Sequence, residues 1–171
     1  MHQKDWVEPE VWYARLPCFY AATAALITDQ HGRLLLVKPA YRNEWTFPGG
    51  YVDAGEFPND ACARELREEL GVVAQVGDLL VVDWAPPAGS RPRALVSMTF
   101  DAGVLTDGSA VRLVDGELED WEFVTATEAA NRLPASTAPR VAAALGARAT
   151  GRTVYLSGGI SPSRSFLAIL I

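Results

Sequence analysis

Cysteine and histidine are scarce in this chain of 171 residues: Cys18 and Cys62, His2 and His31. Two cysteines cannot build a disulfide framework, and these two lack zinc-ligand spacing, so a reducing cytoplasm is the expected location. Two histidines support no Ser-His-Asp order, and His31 falls among turn residues. Long apolar runs are missing too. No stretch approaches the roughly 18 apolar residues of a membrane span, and the opening "MHQKDWVEPEVW" has no apolar signal-peptide region. The closing "SFLAILI" is too short to cross a membrane and is expected to pack as a last strand or against a partner. Positive charge is also in deficit. Lys and Arg number 15 against 21 Asp and Glu, a net charge of -6. That balance argues against a nucleic-acid polymer or a membrane surface as partner. An anionic substrate stays compatible if a cation mediates.

Apolar residues are plentiful, at 49%, enough for one domain with a real core. "CFYAATAALITDQHGRLLLVKPA" reads as a hairpin, with "DQHG" supplying the turn. "YRNEWTFPGG" is a loop or short strand. Pro58 to Leu70 is the clearest helix, with Pro58 at the first helical position and Gly71 as the left-handed stop. Phe57 is a poor N-cap there, which Asn59 or Asp60 could offset. Strands are expected before Pro86, in "ALVSMTFDAGVL" and in "LEDWEFV". Helices follow in "TATEAANRL", capped by Thr125 or Thr127, and in "STAPRVAAALGARATG", ending at Gly146 or Gly151. "TVYL" closes as a strand. Strands and helices in this mixed order predict an α/β fold, a mixed β-sheet sandwiched between α-helices.

The helix 58–70 carries an unusual load of like charge. At about 100° per residue, Cys62, Leu66, Leu70 and Ala63 form one apolar stripe. Glu65, Glu68 and Glu69 form a separate acidic face about 100° wide. Like charges at this spacing each cost a few tenths of a kcal/mol. One reading is a solvated acidic face, partly relieved by Arg64 pairing with Glu68. The other is a divalent-cation site, because hard cations take carboxylate oxygens and share substrate phosphates.

The segment from Gly50 decides between them. Gly50, five residues, Glu56, seven residues, Arg64-Glu65-Leu66, one residue, Glu68-Glu69, one residue, Gly71-Val72: this spacing resembles the Nudix box with every defined position filled. The likeness widens through the flanking strands to most of residues 19–149. It implies an N-terminal extension (1–18), a Nudix hydrolase domain (19–157) and a C-terminal tail (158–171). It further implies a metal-dependent nucleoside diphosphate-X pyrophosphohydrolase using one to three Mg2+ or Mn2+ ions. The metal ligands implied are Glu65, Glu68, Glu69 and the Gly50 carbonyl. Glu68 is either a ligand or the group that deprotonates water, and which glutamate is the base stays open. Glu56 and Arg64 form a structural ion pair. A further acid from outside the box is sought among Glu117, Glu119, Asp120 and Glu122, with Glu119 put first. Lys38, Arg42, Arg91 and Arg93 are candidate phosphate contacts, and Trp45, Phe47, Tyr41 and Trp84 candidate stacking plates. The expected partners are a small nucleotide substrate and a second copy in a homodimer. The alternatives are a non-catalytic nucleotide-sensing module of the same family and an isomerase on the same fold.

Overall fold

The hairpin is the spine of a sheet in the computed structural model, which describes residues 6–113 and 116–160. Strand β1 (Tyr20–Thr28) turns through Asp29, whose carboxylate accepts from His31 N at 2.9 Å and Arg33 N at 2.8 Å, and returns as β2 (Leu34–Pro39). Four more strands follow: β3 (Leu79–Ala85), β4 (Leu95–Val104), β5 (Leu118–Val124) and β6 (Val154–Ser157). The order across the sheet is β5-β2-β1-β4-β3-β6. The pairs β1–β4 and β3–β6 are parallel and the others antiparallel, so the sheet is mixed, as expected.

Side chains of successive strand residues leave on opposite faces, and both faces are covered. On one face Ala25, Ile27, Leu35 and Val37 pack with Cys62, Leu66 and Leu70 of helix α2 (Pro58–Leu70). On the other, Leu26, Leu34, Leu36 and Val81 pack with α3 (Ala126–Arg132) and α4 (Pro139–Thr150). That double coverage explains the unbroken apolar run "LLLV" in β2. Helix α3 starts in a capping box between Thr125 and Glu128, which selects Thr125 over Thr127 as its cap. Gly146 lies inside α4, which stops instead at the left-handed Gly151. Near its start, Arg140 of α4 reaches the fully buried Asp83 of β3 at 2.8 Å.

Three details differ from the sequence reading. A short helix α1 (Pro9–Ala14) occupies the N-terminal segment and buries none of its own residues. In α2, Ala61 is fully buried where the wheel put Ala63, because the sheet approaches from the side of residues 61 and 62. Asn59 and Asp60 hydrogen-bond each other at 2.9 Å, and neither caps α2. The expectation for "SFLAILI" lies outside the described residues, as does His2.

One irregularity positions everything that follows. β1 and β2 pair at Thr28↔Leu34 and then diverge. Residues 46–52 span the gap. Thr46 exchanges two 2.9 Å bonds with Val37 of β2, and then Pro48 O and Gly50 O accept from Ala25 N and Thr23 N of β1. The paired glycines therefore sit at the opening of the sheet, facing α2.

Candidate active site

Gly49 and Gly50 bring backbone closer to carboxylate than any side chain would allow. A Cβ on Gly50 would fall 2.5 Å from the carboxyl carbon of Glu65. One on Gly49, whose φ is 132°, would fall 2.4 Å from Thr23 O. Backbone and φ together require glycine at position 49, whereas at position 50 only the Glu65 side chain stands in the way. Gly49 N donates to Glu69 Oε2 at 2.9 Å, so the loop grips the last turn of α2 by its acid.

The acids are unevenly compensated. Arg64 forks onto Glu56 (Nε to Oε1 at 2.9 Å, Nη2 to Oε2 at 3.0 Å), and that bonding holds the Glu56 carboxyl below its usual range. The same guanidinium donates to Glu65 Oε1 at 2.8 Å, Glu68 Oε2 at 2.9 Å and Tyr51 O at 3.1 Å. The Glu56–Arg64 pair expected from the sequence is thus present. Glu65 lies above the usual range, through burial first and despite Arg64, with Glu68 and Glu117 adding repulsion. Glu69 is pushed up to about 7, chiefly by burial, with Gly49 N opposing and the charges of Glu65 and Glu117 adding. Burial, together with the charges of Glu65 and Glu69, also pushes the neighbouring Cys62 thiol up to about 12, so Cys62 is an inert core residue.

Among the described residues, no three histidine, cysteine or acidic side chains stand close enough to hold a metal ion as they are. The reason is local: Arg64 holds Glu65 and Glu68, and Gly49 N holds Glu69. The donor chemistry nonetheless fits a hard divalent cation. It is all oxygen, and Glu65 and Glu69 are half-buried, which suits an oxygen-seeking divalent ion.

The remaining sequence candidates separate clearly. Glu119 is paired with Lys38, so each satisfies the other. Glu117, just before β5 and accepting from Ala40 N, is the outside acid whose charge bears on both Glu65 and Glu69. Arg42 is near enough to lower Glu69 and lies 5.7 Å from the Tyr41 ring. Phe47 is 3% exposed within the core and has no face to offer a ligand. Trp45 packs on the same core cluster with Arg132 over its ring at 5.1 Å. Trp84 meets Phe19 edge to face at 5.6 Å. Arg91 ties the β3–β4 loop by donating to Pro86 O and Arg93 O at 2.8 Å each. The Gly50 carbonyl is committed to Thr23 N at 2.7 Å. The Gly49 carbonyl accepts no bond among the described residues.

A family model, the NUDIX domain, matches residues 19–145. The chain belongs to this family. Over 68 residues it is 41% identical to an RNA pyrophosphohydrolase of Psychrobacter cryohalolentis, a stretch covering 39% of each protein. Over 82 residues it is 30% identical to an ADP-ribose pyrophosphatase of Methanocaldococcus jannaschii, covering 46% of this chain and 48% of that one. The chain spans about two fifths to one half of the length of these curated relatives. Among solved structures, a UDP-X diphosphatase superposes with a TM-score of 0.66 at 22% identity, covering 89% of this Nudix chain and 76% of the other. The MutT protein of Methanosarcina mazei Go1 superposes with a TM-score of 0.64 at 22% identity, covering 74% and 92%. At such identities the likeness is one of fold, and the mixed sheet between helices is that fold.

Proposed function

We propose that this Nudix protein hydrolyses the pyrophosphate bond of a nucleoside diphosphate linked to another moiety, a nucleoside triphosphate or a nucleotide sugar such as ADP-ribose. One observation carries the reading: Glu65 and Glu69, both half-buried, are brought against the backbone of Gly49 and Gly50, Glu69 accepting from Gly49 N and Glu65 lying where a Gly50 side chain would be. The relatives' names, an RNA pyrophosphohydrolase and an ADP-ribose pyrophosphatase, support the same chemistry.

Glu65, Glu69 and the Gly49 carbonyl would hold Mg2+ or Mn2+, one to three ions, with Glu68 completing the set once Arg64 releases it. When bound, such an ion neutralises pyrophosphate charge and acidifies a water. The chain's own residues do the rest. Arg64 and Glu56 keep the helix and loop in register, so the acids face one spot. Arg42 brings positive charge to a phosphate oxygen. One of Glu65, Glu68 and Glu117 takes the water's proton, each within the same carboxylate field.

The reading keeps the cytoplasmic location expected from the scarce cysteines; among the described residues no helix is long and apolar enough to cross a membrane. It involves neither a nucleic-acid polymer nor a membrane, and it accommodates a homodimer, since α1 leaves its apolar residues exposed. The test is a panel of nucleoside diphosphate derivatives incubated with protein and Mg2+, with phosphate measured after phosphatase treatment. Turnover of at least one member is expected. Tight nucleotide binding with no product from any member would replace the hydrolase by a sensing module.

A further inference from the structure

Tyr51 follows directly on Gly50 and is 57% exposed. Its backbone is fixed on both edges: Val52 N donates to Ala21 O at 3.0 Å on one side, and Arg64 Nη2 donates to Tyr51 O on the other. Opposed residues in an antiparallel bridge share a face. Tyr51 opposes Ala22, so its ring leaves on the face of Tyr20 and Ala22, while Gly50 faces Glu65. The Tyr20 ring meets the Tyr51 ring edge to face at 6.3 Å. Arg93 lies over Tyr20, 5.9 Å from the ring centroid. Arg93 has no carboxylate partner among the described residues.

The result is a rigid, exposed aromatic face backed by a second ring and a guanidinium without an acid. It stands one residue from the backbone that touches the catalytic carboxylates. Adjacent Cα atoms lie about 3.8 Å apart, so the ring's backbone anchor adjoins Gly50, while the ring itself leaves on the sheet face of Ala24 and Leu26, opposite α2. Two other exposed aromatics that the sequence suggested are worse placed. Tyr41 sits in a turn with only its neighbour Arg42 against it, and Trp84 is taken up by Phe19.

We propose that Tyr51, supported by Tyr20 and Arg93, is the platform on which the substrate's nucleobase stacks. This rests on the hydrolase reading above and adds to it the residues that meet the base of the nucleoside diphosphate. Phosphates lie against the α2 side of residues 49–50, the base lies on the Tyr51 side, and Arg93 donates to an acceptor on the base edge. Stacking on one aromatic side chain contributes on the order of 1–3 kcal/mol per base, so removing it should cost about tenfold or more in affinity.

The test is calorimetric titration of the full chain in Mg2+ with α,β-methylene-ADP and with methylenediphosphonate, its base-free counterpart. Native protein should bind the nucleotide analogue about tenfold or more tightly than the base-free compound. Tyr51→Ala should erase most of that difference and Tyr51→Trp should keep it. Arg93→Gln should weaken only the nucleotide, and Tyr41→Ala should change neither. Circular dichroism confirms that each variant folds. Equal affinity of the native protein for both compounds, binding of neither at millimolar concentration, or a Tyr51→Ala chain that keeps its preference would overturn the proposal. Should Tyr51→Ala fail to fold, Arg93→Gln and Tyr20→Ala decide it by the same difference. Turnover plays no part in this measurement. A base-dependent preference without hydrolysis would therefore sink the hydrolase reading alone, and turnover without a base-dependent preference would sink the platform alone.

Discussion

Arg64 and Glu56 meet as a two-bond fork across eight residues, closing the loop after the glycines onto the acidic helix. The fork leaves one guanidinium nitrogen, Nη1, to reach both Glu65 and Glu68. Removing Glu56 should therefore disturb chemistry more than folding. Glu56→Gln is expected to lower turnover by about 10- to 100-fold, as loss of supporting contacts around a metal site typically does. Far-ultraviolet dichroism should stay native. Because Arg64 holds Glu56 below its ordinary value of 4.5, the pair's contribution to stability is present at neutral pH. It is lost only as the pH falls through and below that value.

Glu69 has the opposite sign. Its carboxyl sits at about 7 in the fold against an ordinary 4.5, so the native state binds the extra proton. Stability of the metal-free protein should therefore fall as the pH rises from about 4.5 to 7 and then level off. Glu69→Gln in chelator should melt higher than the native chain at pH 8, by an amount on the order of 2 kcal/mol, and no higher at pH 4. Its turnover should be abolished. Thermal melts across that range check the first claim. A variant that melts lower than native at pH 8 would show that Glu69 is not strained.

The two glycines should fail differently. Alanine at Gly49 meets the backbone oxygen of Thr23 and a φ of 132°, neither of which can yield. Destabilisation of about 3 kcal/mol or more is expected, read by urea titration. Alanine at Gly50 meets only the Glu65 side chain, which can rotate away. That variant should fold and lose activity.

Glu117 and Glu119 are separable by kinetics. Glu117→Gln should depress kcat at least tenfold, since its charge is felt by both Glu65 and Glu69 and general-base or metal-holding groups act at that scale. Glu119→Gln breaks only the pair with Lys38 and should change kcat less than about threefold, as partly exposed pairs are weak. The reverse ranking would return the outside acid to Glu119.

Legibility in the sequence followed how local each signal is. Pro58 and Gly71 mark α2 because a missing donor and a left-handed φ are properties of single residues. Thr125 and Glu128 mark α3 through a four-residue motif. The hairpin was carried by "DQHG", and the acidic spacing identified the family outright. What stayed hidden depends on neighbours distant in sequence. Whether Trp45 and Phe47 face a ligand or the core is settled by α3 and α4, dozens of residues later. Glu117 and Glu119 differ only in where β5 begins relative to Ala40. The commitment of the Gly50 carbonyl to Thr23 follows from the splaying of β1 from β2, and the wheel could not say from which side the sheet meets α2.

Ala61, Cys62, Leu66 and Leu70 fill the buried side of α2, while Glu65 and Glu69 are half-buried and Glu68 is exposed. Frame and reactivity are therefore built from separate sets of atoms. A chain with its three box glutamates neutralised should keep its shape and lose its chemistry. Such a chain would serve as bait, capturing the natural compound from an extract without destroying it.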